Sequence, residues 1–179
     1  MEKNLDILRP SMIRKSVAEI DFKELREYGL TRVIMDLDGT IAPNLSYKYD
    51  QACVHHLLEA KANGWIEDIC LLSNCAIPFL IPRVEKIAKL LNIKWHACVW
   101  PNAMKPDAVA FTEAMYKIGG TAENTVVIGD QLETDILGGN QLDLHTIFVR
   151  TIGMTPFWKQ LQSKKQDELM AEMRISFPE

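Results

Sequence analysis

Five short runs of this chain are almost unbroken in apolar or β-branched residues: 32–35, 69–72, 97–99, 125–128 and 146–149. A strand with one wet face alternates apolar and polar residues, so continuous runs mark strands covered on both faces. Segments with spacings of three and four lie between them. The first, 50–63, carries Ala52, Val54, Leu57, Leu58 and Lys61. The second, 81–91, sets Ile81, Val84, Ile87, Ala88 and Leu91 on one stripe ahead of Asn92, a C-cap residue. The third, 107–118, stops at Gly119-Gly120, and the fourth, 134–141, should be broken by Gly138-Gly139. Such alternation predicts an α/β, Rossmann-like three-layer sandwich with a mainly parallel sheet of about five strands.

Composition bounds the rest. The 179 residues fit one domain, 1–179, with a core over about 31–150 and a helical extension over about 155–175. A net charge of −4 without a basic block argues against nucleic-acid binding. Cys53, Cys70, Cys75 and Cys98 form no Cys-x-x-Cys pair, so small buried thiols in a reducing compartment are expected. Residues 1–10 lack the apolar stretch of a secretory signal, and no run reaches the roughly 18 apolar residues of a membrane span. A cytoplasmic location is the expectation.

Ligands of open parallel sheets collect at the carboxyl ends of the strands. Four polar segments fall there: Asp36-Leu-Asp38-Gly-Thr40 after the first run, Ser73-Asn74 after the second, Lys105-Pro106 after the third and Gly129-Asp130 to Asp135 after the fourth. Asp36 and Asp38, two residues apart on extended backbone, point the same way and need a cation or a shared proton to coexist. Taken singly, each segment has a plain explanation. Asp-Gly is a common turn, Asp130 or Thr134 could cap a helix, Ser-Asn suits a cap, and most lysines are solvated. A calcium loop counted from Asp36 would need Glu at its twelfth position, where Tyr47 stands. Together the segments supply a nucleophilic carboxylate, an acid/base carboxylate, a hydroxyl, a cation and further acids. Phosphoryl transfer with a divalent metal uses that set.

The order Asp-x-Asp-Gly-Thr, Ser, Lys-Pro, Gly-Asp-x-x-x-x-Asp resembles the haloacid dehalogenase (HAD) superfamily over about residues 31–149, and within it the YqeG-like subfamily IIIA branch. Leu8-Arg-Pro and the Ile20-Asp-Phe…Gly29-Leu30 stretch are similar to that branch too, whereas Gly39 stands where it often has Asn or Glu. The resemblance implies a phosphomonoester hydrolase using Mg²⁺ and an aspartyl-phosphate. Asp36 would be the nucleophile and Asp38 the general acid and base, oriented by Thr40. Asp36, the Asp38 carbonyl and Asp130 would hold the metal. Ser73, Asn74 and Lys105 would bind phosphate, and Asp135 would support the metal shell or anchor Lys105.

Thirty-five residues separate Asp38 from Ser73, and thirty-two separate Ser73 from Lys105. One helix and one strand fill each interval, so neither holds a cap domain of about 50 residues. A capless site, covered only by a flap over 39–49, suits bulky substrates, and the branch raises phosphatidylglycerophosphate. The tail carries Phe157, Trp158, Leu161, Leu169, Met170 and Met173 among Lys159, Lys164, Lys165 and Arg174. That pattern fits peripheral contact with a membrane, although the commoner use of such a stripe is a helix packed on its own domain or on a second subunit of an oligomer. Phosphatases of proteins or small metabolites, phosphotransferases and a non-catalytic HAD-like scaffold are the competing functions.

Overall fold

The computed structural model describes residues 5–74, 81–98, 104–153, 157 and 160–179. Six strands form one sheet: β1 (Met12–Arg14), β2 (Arg32–Met35), β3 (Asp68–Ser73), β4 (Trp95–Cys98), β5 (Thr125–Gly129) and β6 (His145–Val149). Their order is β1-β6-β5-β2-β3-β4, and every pairing is parallel. The expected sheet of five thus gains β1, a three-residue edge strand too short to leave a periodic signal. The run expected at 97–99 begins earlier, at Trp95, and its end at Val99 lies outside the described residues.

Among the described residues, the α-helices are α1 (Phe22–Glu27), α2 (Gln51–Ala62), α3 (Ile81–Leu90), α4 (Ala108–Lys117), α5 (Leu137–Asn140) and α6 (Gln160–Met173). Successive strand residues enter different cores. Val33, Met35, Ile69, Leu71, Val126 and Ile128 pack with α2 and α3, while Ile34, Cys70, Leu72 and Val127 pack with Phe111 and Ala114 of α4. The strand runs are continuous because both faces are covered.

Local chemistry sets the helix ends. Asp50 accepts from the Cys53 amide at the start of α2, and Asp107 accepts from Val109 at the start of α4. Asn92, with φ +48°, ends α3 as expected, and the amide of Ile93 reaches back to Ala88. Two expectations need correction. Ala52 and Leu58 are exposed, the buried face of α2 being Cys53, Val54, Leu57 and Ala60, and Lys61 instead donates to the carbonyls of Leu91 and Asn92. Nor do Gly138 and Gly139 break their helix. They lie inside α5, where a Cβ would meet the Phe111 ring at 2.0 Å and Thr146 at 2.6 Å, so close packing selects glycine there.

Candidate active site

Strands β2 and β5 are neighbours in the sheet although β3 and β4 intervene in sequence. From β2 the chain first builds outward on one side and later on the other, which opens a crevice at the carboxyl ends of that pair. Met35 is level with Ile128 and Leu71. The register therefore brings Asp36, Ser73 and Asp130 to the same edge.

The four segments meet there. Asp36, Asp130 and Asp135 are buried, and each offers a carboxylate oxygen within 4.8 Å of the others. Lys105, also buried, donates to Asp36 Oδ1 at 2.5 Å and Asp135 Oδ1 at 2.7 Å. Three carboxylates thus face one ammonium, and a divalent cation would bring the cluster to neutrality. An all-oxygen donor set of this kind suits a hard ion such as Mg²⁺.

Burial raises Asp36 to about 6 against the opposing pull of Lys105. Burial alone would lower Lys105, but Asp135 and Asp36 outweigh it and hold the ammonium above its ordinary range. The cation is therefore fixed, while the Asp36 carboxyl takes up a proton more readily than an ordinary carboxylate.

Backbone details explain the closeness. Residues 132–136 wind as a single π turn, with the Ile136 amide reaching Gln131, and Asp135 Oδ2 accepts from the Gln131 amide. A Cβ on Gly129 would lie 2.3 Å from Asp135 Cγ. Gly39, at φ +94°, has its missing Cβ position 2.1 Å from Asp130 Oδ2, so only glycine lets that carboxylate sit against the turn after Asp38.

Some side chains act elsewhere than expected. The Thr40 hydroxyl donates to Asp36 Oδ2 at 3.2 Å, not to Asp38. Asn74 donates to the Lys105 carbonyl at 3.1 Å and accepts from the Lys105 amide at 2.9 Å, clasping the backbone that carries the ammonium. Ser73 is buried at the end of β3. The Asp38 side chain stands apart from the carboxylate cluster and pairs with Arg83 of α3 at 2.6 Å.

Sequence reasoning missed Arg83 and the contacts that α6, which lies within the expected helical extension, makes with the Asp130 loop. Nothing in the spacing of Arg83 separates it from a solvated helix residue. Helix α6 packs Leu169 and Met173 against Leu132, Ile136 and Phe148. Its Gln166 donates to the Asp130 carbonyl and accepts from the Leu132 amide, both at 3.0 Å, and Lys165 pairs with Glu133 at 2.6 Å. The tail thereby walls a small cleft beside Asp130, together with Asn44 and Thr151. Phe157 and Leu161 stay more than four-fifths exposed, and Trp158 and Lys159 lie outside the described residues.

Known proteins resemble this chain in sequence or in fold. A family model described as HAD-hydrolase-like matches residues 102–169, which include Lys105, Asp130 and Asp135. The "probable phosphatase YqeG" of Bacillus subtilis (strain 168) is 28% identical over 179 residues, 95% of this chain and 96% of that protein. A "dihydroxyacetone phosphatase" of Corynebacterium glutamicum (strain R) is 40% identical over 47 residues, 26% of this chain and 17% of that one. Among solved structures, an uncharacterized protein from Listeria monocytogenes serotype 4b superposes with a TM-score of 0.54 at 19% identity, covering 82% of this chain and 100% of that chain. The 3-deoxy-D-manno-octulosonate 8-phosphate phosphatase from Yersinia pestis gives 0.50 at 17% identity, covering 73% and 78%. These two show the fold alone.

Proposed function

The chain belongs to the HAD superfamily of phosphatases, and on that premise we propose that it hydrolyses phosphate monoesters with Mg²⁺ through an aspartyl-phosphate on Asp36. The observation that carries this reading is the buried meeting of Asp36, Asp130 and Asp135 with Lys105 at the β2–β5 crevice. A scaffold with no chemistry to perform has no use for three buried carboxylates with one ammonium among them, since each desolvated charge costs folding energy.

Asp36 attacks phosphorus while the ester P–O bond breaks. Asp38 gives its proton to the departing oxygen, then takes one from the water that attacks the aspartyl-phosphate, releasing inorganic phosphate and restoring Asp36. Thr40 holds one Asp36 oxygen, and Lys105 holds the other while offsetting charge on the phosphoryl oxygens. Ser73 would donate to the same group. Asn74 contributes by fixing Lys105, and Asp135 by anchoring it. Mg²⁺, held by Asp36, the Asp38 carbonyl and Asp130, would supply Lewis-acid stabilisation of the phosphoryl charge.

Proton and cation compete for Asp36. In metal-free protein its carboxyl sits near 6, so Mg²⁺ affinity weakens as pH falls through that value, approaching about tenfold per pH unit. Calorimetric titration of the metal-free protein across this range checks it. An affinity that ignores pH there would remove the cation from Asp36.

A capless single domain would leave the site open to a bulky ester such as phosphatidylglycerophosphate. Contact with a bilayer would then run through the exposed Phe157 and Leu161. Phosphate release from a panel of lipid, protein and small-metabolite esters, with and without chelator, tests the activity and its substrate together. Hydrolysis of the lipid ester with liposome flotation supports the membrane route. Activity confined to small esters, with no flotation, removes that route and leaves the phosphatase reading standing.

A further inference from the structure

Arg83 is the largest fully buried side chain among the described residues, with 2% of its surface exposed. It lies in the first turn of α3, and its guanidinium points at the turn after β2. Nε donates to the Ser46 carbonyl at 2.7 Å, Nη2 to Asp38 Oδ1 at 2.6 Å and Nη1 to Asp38 Oδ2 at 3.3 Å. The Leu45 amide adds a second short bond to Oδ1 at 3.0 Å. Among the described residues, Oδ1 takes the two short bonds and Oδ2 receives the longer arm of the guanidinium fork. Its side chain keeps 20% of its surface exposed, where an entering substrate can meet it.

A buried ion pair is a weak source of stability, since well-packed apolar groups of similar size often serve as well. A staple between the 38–46 turn and α3 would need only the Ser46 carbonyl. The bidentate fork on Asp38 has a different chemical meaning. When Asp38 gives its proton to the departing ester oxygen, it becomes a carboxylate, and a preorganised guanidinium favours that change without reorganisation.

We propose that Arg83 is a positioning residue: it turns Asp38 so that Oδ2 faces the departing oxygen and steadies the negative charge Asp38 acquires as its proton leaves. This rests on the phosphomonoesterase reading above. In the step concerned, the ester P–O bond breaks, the P–O bond to Asp36 forms, and the Asp38 proton passes to the alcohol oxygen. Alkyl esters depend on that proton because an alkoxide is a poor leaving group. Aryl esters depend on it far less, because a nitrophenolate leaves unaided.

Leaving-group dependence therefore separates this role from a merely structural one. The quantity to read is kcat/KM, which ends at departure of the alcohol, for glycerol phosphate against 4-nitrophenyl phosphate. Arg83→Met should lower the alkyl-to-aryl ratio of kcat/KM at least about tenfold, a part of the roughly 10²–10⁴-fold that general-acid catalysis contributes. Arg83→Lys, which keeps the charge but loses the fork, should recover part of the ratio and serves as the test if the Met variant fails to fold. In an Asp38→Asn background, Arg83→Met should leave the ratio where Asp38→Asn alone puts it. An equal loss on both esters, or a further drop in the Asp38→Asn background, overturns the role of Arg83 while leaving the phosphatase reading intact. Inactivity of the unaltered protein on both esters with Mg²⁺ present overturns the reading and this inference with it.

Discussion

Asp36→Asn ends phosphomonoester hydrolysis, with turnover falling by about 10⁴-fold or more, as expected when the group that forms the covalent intermediate is removed. The fold should survive the change. Asparagine keeps the shape of the side chain and an acceptor for the Thr40 hydroxyl, and Lys105 keeps Asp135 at 2.7 Å. Burial already works against an ionised Asp36, so losing its charge relieves a cost of desolvation rather than adding one. Phosphate release and a thermal melt of the same preparation check both halves. Appreciable turnover by the purified variant, with contaminating phosphatases excluded, would defeat the assignment of the nucleophile.

Lys105→Met produces the largest loss of stability. The ammonium is the shared partner of Asp36 and Asp135, and its removal leaves buried carboxylates uncompensated, which costs about 3–5 kcal/mol. For a chain of this size that lowers the melting temperature by roughly 10 °C. The pH dependence has a definite sign. Asp36 is raised above its unfolded value even with Lys105 in place, and without the ammonium it rises further. A carboxyl raised in the folded state opposes folding above its folded value, and that penalty disappears as it takes up a proton. The gap between variant and parent should therefore be widest at neutral and alkaline pH. It should shrink as pH falls from the variant's still higher Asp36 value towards about 6, where the parent's carboxyl also takes up its proton. Excess Mg²⁺ should narrow the gap at neutral pH by replacing part of the lost positive charge. Melts across pH, with and without the ion, provide the measurement, and a gap independent of both would mean that Lys105 does not balance these acids.

Legibility differed from place to place for physical reasons. The β2, β3, β5 and β6 runs could be read because a strand buried on both faces must be apolar throughout. Strand β1 could not, because three half-buried residues carry no period. Gly138-Gly139 looked like a break because glycine disfavours helices, yet Phe111 and Thr146 occupy the space a Cβ would need, so packing overrides propensity. Asn74 and Thr40 were legible as polar residues at the sheet edge. Their partners were not, because one rotamer decides whether an amide meets a ligand or the neighbouring backbone.

Residue order and strand pattern were enough to place Asp36, Ser73, Lys105 and Asp130 at one edge of a parallel sheet, since strand direction and side-chain chemistry are local properties of the chain. Charge balance was not local. That Lys105 bridges Asp36 and Asp135, that Arg83 takes Asp38, and that α6 clips the Asp130 loop through Gln166 all depend on elements from 30 to 69 residues apart meeting at ångström precision. Only the packed sheet decides such meetings, because desolvated charges must find partners in whatever neighbours the fold brings within hydrogen-bond reach.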